Sequence, residues 1–171
     1  VISSTISNVS NPTNLFSHIV FVHVDKSTGK VETMESYIGK GVTLFSIEDA
    51  LKNENARILI LRAKDQNLAS DAADYMYERI TKLKKQGQYI AYDFDFDFED
   101  NSKLSCEEVA YDAFKTASSG SFVIPESSSL IGKHNKKFLK RFGLHPEMNL
   151  MLPADMETDS RFDIVLDWTD Y

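Results

Sequence analysis

Two β-rich alternating segments, residues 18–24 and 31–36, flank the polar run Asp25-Lys26-Ser27-Thr28-Gly29-Lys30. So short a polar link between two such segments reads as a hairpin. Arg57-Ile58-Leu59-Ile60-Leu61-Arg62 reads as a central strand, and Arg161-Phe162-Asp163-Ile164-Val165-Leu166 as a last one. Helices fall between some of these strands. Ser46 caps a short helix that runs to about Lys52, and Asp65 caps a long one to about Gln86. The long helix carries Leu68, Ala72, Ala73, Met76, Ile80 and Leu83 on one face, and Gly87 stops it. A third helix is expected from Ser105 to about Ser118, with Ser105 and Glu108 in a capping-box pattern. Hairpin strands with interspersed helices predict an α+β fold, an antiparallel sheet packed on helices.

Other stretches carry weaker signals. Residues 1–14 are rich in Ser, Thr and Asn and read as a loop or the frayed remains of a strand. Gly39 and Gly41 mark a turn. Residues 89–98 alternate Phe and Asp, which predicts a strand with Phe inward and Asp outward. The same run invites a calcium reading, but it lacks the Gly and Glu that a calcium loop needs at its sixth and twelfth positions. Residues 125–148 look irregular, with short helical pieces. Within them Lys133, Lys136, Lys137, Lys140 and Arg141 form a basic patch that reads as a solvated face. No repeat or linker divides the 171 residues, so one domain is expected over 1–171.

A net charge of −7 argues against binding a phosphate backbone as the main task, so no nucleic-acid partner is expected. No stretch reaches the roughly 18 apolar residues of a membrane span. The chain begins at Val1 rather than Met. That is compatible with a processed or trimmed product, exported to the periplasm or cell envelope after loss of a signal segment. The sequence names neither compartment nor oligomeric state.

Cys106 is the only cysteine. At the start of a helix it would feel backbone N–H groups that stabilise a thiolate and could hold an oxyanion. His18 opens an apolar strand, and Glu35 lies on its hairpin partner. Together they supply a nucleophile, a base and a group that orients the base. Each also has a plain structural reading: a small buried hydrophobe, a hydrogen-bonded strand-end histidine, a solvated edge acid. His23 lies at an odd offset from His18, on the opposite strand face, and reads as a surface residue; Glu32 should face away from Glu35. No phosphate-cradling loop and no zinc-ligand pairing appear, so neither metal nor cofactor is expected.

The ordered motifs resemble a known group. Ser17-His18-Ile19-Val20, Thr33-Met34-Glu35-Ser36 with Gly41-Val42, Ile58 to Arg62, Gln88 to Phe94, Leu104-Ser105-Cys106-Glu107-Glu108-Val109 and Leu152-Pro153-Ala154-Asp155 follow in family order. They are similar to the circularly permuted NlpC/P60-type papain-like proteins of the YiiX and YebB kind. Lecithin retinol acyltransferase is a more distant relative. The resemblance implies Cys106 as nucleophile, His18 as base and Glu35 as third member, with Tyr92, Ser17 and Ser105 at the substrate. It implies a bacterial cysteine hydrolase, an amidase or peptidase acting on a peptide or cell-wall amide. Two other functions follow from the same relatives: lipid acyl transfer or thioester cleavage, and a binding module that keeps the fold without the chemistry. The chain departs from the pattern at Ser105, where an aromatic is usual, and at Glu107, where Ser is usual. A carboxylate beside the thiol is expected to raise its pKa and narrow the substrate range. The family's N-terminal strand is not recognisable, and Val1 to Ser4 stand as its remnant.

Overall fold

A computed structural model describes residues 2–4, 18–52, 57–123, 127–128, 149–150 and 153–169. Its main sheet has six strands: β1 Ile2–Ser4, β2 His18–Val24, β3 Val31–Tyr37, β4 Gly41–Ser46, β5 Arg57–Ala63 and β8 Phe162–Thr169. Their order is β4-β3-β2-β1-β5-β8, and every pairing is antiparallel. β6 Ser127–Ser128 and β7 Asn149–Leu150 form a separate two-stranded ribbon. The helices are α1 Ile47–Leu51, α2 Gln66–Lys85, α3 Cys106–Ala117 and α4 Pro153–Thr158. The fold is α+β, as expected.

The helix starts follow their local signals. Ser46 accepts from the Asp49 N–H and Asp65 from the Leu68 N–H, so each side chain satisfies an N–H that has no partner within its helix. Ser105 is the N-cap of α3, and its own N–H donates to Glu108 Oε2 at 2.6 Å. Past the end of α2, Gly87 takes the left-handed conformation at φ +69°.

The core lies between one sheet face and the layer of α2 and α3. Ile19, Phe21, Met34, Leu59 and Leu61 meet Ala72, Ala73, Met76 and Ile80 of α2 and Val109, Ala110, Ala113 and Phe114 of α3. Phe114 packs on Phe21, Phe122 and Phe162. A buried aromatic of this kind contributes about 1.5–3 kcal/mol. The expected inward face of α2 is the observed one.

Of the two readings of the N-terminal residues, Ile2–Ser4 take the strand, between β2 and β5. β4 follows the Gly39–Gly41 turn and pairs with all of β3 save Val31. Residues 89–98 are not a strand: a single bridge joins Ala91 to Lys103, and the rest is loop. There Asp93 is buried and its carboxylate accepts from the N–H groups of Asp95 and Asp97, at 3.0 and 2.9 Å. Asp side chains that bind backbone N–H groups compete with a ladder, and here they win. The basic patch at 133–141 falls outside the described residues.

This loop is anchored through Val42, whose N–H donates to the Ile90 carbonyl at 2.9 Å. Gly41 makes the approach possible. It holds φ +68°, and a Cβ there would collide with the Ile90 carbonyl oxygen. Gly41→Ala should lower stability by about 2–3 kcal/mol. A thermal melt of the variant checks this, and an unchanged melting temperature would contradict the assigned packing.

Candidate active site

β2 and β3 pair from Phe21↔Met34 to Val24↔Val31, and among the described residues the ladder stops there. Toward His18 the two strands part. Side chains span the opening instead. His18 Nε2 meets Glu35 Oε2 at 3.2 Å. Tyr37 packs its ring on the imidazole at 4.9 Å and donates its hydroxyl to Glu35 Oε2 at 2.7 Å. Thr33 donates to Glu35 Oε1 at 2.6 Å. Thr33, Glu35 and Tyr37 share a face because side chains alternate along a strand. Met34 and Ser36 take the other face; Met34 joins the core, and Ser36 donates to the Leu104 carbonyl at 2.5 Å.

Glu35 is 1% exposed. Burial pushes its pKa up, but the hydrogen bonds from His18, Thr33 and Tyr37 outweigh this and hold it below the ordinary value. Glu35 is therefore a carboxylate, and the His18 proton belongs on Nε2, facing it. That leaves the Nδ1 lone pair to accept a proton from elsewhere. His18 is itself only partly buried.

Cys106 belongs to the helix layer, as the first residue of α3. The backbones of Ile19, the residue after His18, and of Cys106 itself act on the sulfur to lower its pKa. Its thiol donates to Glu107 Oε2 at 3.2 Å. Cys106 is 5% exposed. Burial, then the Glu107 charge, raise its pKa well above the ordinary thiol value, against the two backbone contributions. The thiolate expected from the helix start is thus overturned: the backbone contributions do not outweigh desolvation and a neighbouring carboxylate. Glu107 moves the thiol pKa in the expected direction. Alkylation by iodoacetamide should be slower than that of free cysteine at neutral pH and should rise only above pH about 9. Fast labelling with a midpoint below pH 8 would show that the thiol is activated.

Tyr92 lies among these groups. Burial first, then the charges of Cys106, Glu107, Glu108 and Asp93, push its phenol pKa up, so it is a neutral donor. Ser105 is fully buried behind the thiol, which does not suit direct contact with a substrate. Ser17 falls outside the described residues. His23 is not a surface residue: it is 7% exposed, stacked on Tyr77 at 4.1 Å, with Nε2 on Asp74 Oδ1 at 3.0 Å. Being on the face opposite His18 put it under α2 rather than in water. Glu32 faces α2 as well, accepting from Tyr77 at 3.0 Å. Sequence reasoning passed over Thr33 and Tyr37, although their spacing of two on either side of Glu35 was the available signal.

The arrangement can orient an imidazole against a carboxylate, present its second nitrogen, and hold a thiol at a helix start against a second carboxylate. No family model and no curated protein matches the chain. Among solved structures it is similar to one described as metalloprotein YiiX from Escherichia coli O157:H7. The TM-score is 0.64, with 14% identity over 99% of this chain and 96% of that one. At that identity the likeness is one of fold, and the chain has a YiiX-like α+β fold.

Proposed function

We infer that the protein is a cysteine hydrolase that cleaves an amide bond, with Cys106 as nucleophile, His18 as base and Glu35 as its orienting carboxylate. The observation that carries this reading is the contact of His18 Nε2 with the buried Glu35 carboxylate at 3.2 Å, on the strand whose next residue, Ile19, lowers the pKa of the Cys106 thiol through its backbone. Because the thiol is neutral, deprotonation and attack belong to one step. His18 Nδ1 takes the proton as the sulfur attacks the carbonyl carbon. Backbone N–H groups at the start of α3 stabilise the tetrahedral oxyanion. His18 then gives its proton to the leaving amine, and a thioester remains on Cys106. A water, deprotonated by His18, attacks the thioester and releases the carboxylic acid. Glu35 stabilises the imidazolium each time it forms.

The similar structure is described as a metalloprotein. Among the described residues no three His, Cys, Asp or Glu side chains gather into a set that could hold a metal ion. The proposed steps use none.

Glu107 favours a second reading. A thiol capped by a carboxylate is also what a binding module with the fold but without the chemistry would show. A panel of peptide, cell-wall-fragment and acyl-lipid substrates tests both. Amide turnover that vanishes in Cys106→Ser supports the hydrolase, turnover only of the lipids moves the reading to acyl transfer, and no turnover at all favours the module.

A further inference from the structure

Four buried acids belong to the candidate site, and three of them are compensated. Glu35 accepts hydrogen bonds from His18, Thr33 and Tyr37. Asp93 has Lys103 at 3.4 Å. Glu108 is held as a neutral acid, its pKa pushed to about 8 mainly by burial. Glu107 differs. Among the described residues no Lys, Arg or His pairs with it, and its recorded partner is the Cys106 thiol at 3.2 Å. It is 9% exposed. A carboxylate largely withdrawn from water with only a weak donor on it is poorly compensated. Any group that docks on the sulfur comes within a few ångströms of Glu107 Oε2.

We propose that Glu107 selects substrates with a cationic group, an ammonium or guanidinium, next to the scissile amide. The proposal rests on Cys106 being the nucleophile. A substrate cation would take Glu107 Oε2 away from the thiol. The S–H is then released toward His18 Nδ1, and the charge that opposes formation of a thiolate and an oxyanion is neutralised. A neutral substrate leaves Glu107 on the thiol and its charge beside the reacting centre; an anionic one adds repulsion. The cation that completes the site would thus arrive with the substrate.

The test separates charge selection from catalysis. Cys106 is labelled with cationic aminoethyl and anionic sulfonatoethyl methanethiosulfonates. Each forms a mixed disulfide on the sulfur and expels methanesulfinate, and mass spectrometry gives the rates. The ratio of cationic to anionic rate should fall about tenfold or more from wild type to Glu107→Gln, and equally in Glu107→Ser if Gln disturbs folding. An equal ratio in wild type and both variants would overturn the proposal, because the chain's overall charge of −7 would then be the cause. On peptides with a free or acetylated amine beside the scissile bond, Glu107→Gln should lose kcat/KM for the cationic member and gain it for the neutral one. Unchanged preference there also overturns it. A shifted labelling ratio in a protein that turns over no amide counts against the hydrolase reading instead, and leaves the charge selection standing.

Discussion

Cys106→Ser should lower kcat/KM on an amide substrate by about a thousandfold or more, with little loss of stability. The activity loss follows because a serine hydroxyl holds its proton far more tightly than a thiol, and His18 then has too little driving force to take it. The stability effect is small because the new hydroxyl finds a partner already in place. Glu107 Oε2 accepts from the thiol and would accept from the serine hydroxyl in the same way. A buried hydroxyl so satisfied costs on the order of 1 kcal/mol or less. His18→Ala should remove about as much activity, since members of one catalytic unit are strongly non-additive, and the double variant should be little worse than either single one. Glu35→Gln should be milder: an amide oxygen can still accept from His18 Nε2 but no longer stabilises the imidazolium by charge. Kinetics of these variants with parallel thermal melts decide the matter. Activity that survives Cys106→Ser, or that disappears only with a collapsed melting temperature, would return Cys106 to the role of a core residue.

Glu108→Gln should remove a large pH dependence from folding stability. Glu108 is 1% exposed; Oε2 accepts from the Ser105 N–H at 2.6 Å, while Oε1 is buried without a hydrogen-bond partner. Burial, reinforced by Asp93 and Glu107, raises its pKa from 4.5 to about 8, against the Ser105 hydrogen bonds. The sign follows from proton binding. Between pH 4.5 and about 8 the folded protein holds this proton and the unfolded chain has released it. The unfolded state therefore binds fewer protons, and stability falls as pH rises through that window, by up to about 1.4 kcal/mol per pH unit. Above pH about 8 both states are ionised and this contribution is flat. Gln copies the neutral acid and keeps an acceptor for Ser105. Its stability should be less pH-dependent, and at pH 9 it should exceed wild type by roughly 5 kcal/mol. Urea unfolding of both proteins from pH 4 to 9 measures the difference. A constant difference across that range would show that Glu108 is not the buried acid described here.

The helix starts, the β2–β3 hairpin and the inward face of α2 were legible in the sequence. The signals there are local. A capping side chain at Ser46, Asp65 or Ser105 is judged against N–H groups at most three residues away, and the face of α2 by a 3.6-residue period. Cys106, His18 and Glu35 were legible as candidates for the same kind of reason, a thiol at a helix start and two side chains on one hairpin. Other features depended on neighbours distant in the chain. The Phe–Asp alternation at 89–98 matched a strand, but Asp93 found better partners in its own backbone. His23 was assigned its strand face correctly, yet only α2 packing over that face made it buried. Ile2–Ser4 carry little strand signal and became a strand because β2 and β5 hold open edges on both sides.

The site divides along the same line. Residue identity by itself determined that a carboxylate would stand next to the only thiol and that a Thr-x-Glu-x-Tyr stretch would share one strand face. Whether that thiol is activated was decided only by the tertiary structure. Desolvation and charge add over every atom around the sulfur, and that sum exists only once β2, β3, the 90–105 loop and α3 are brought together. There burial and Glu107 outweigh the helix start, so Cys106 rests as a thiol, and in the proposed reaction it would lose its proton as it attacks.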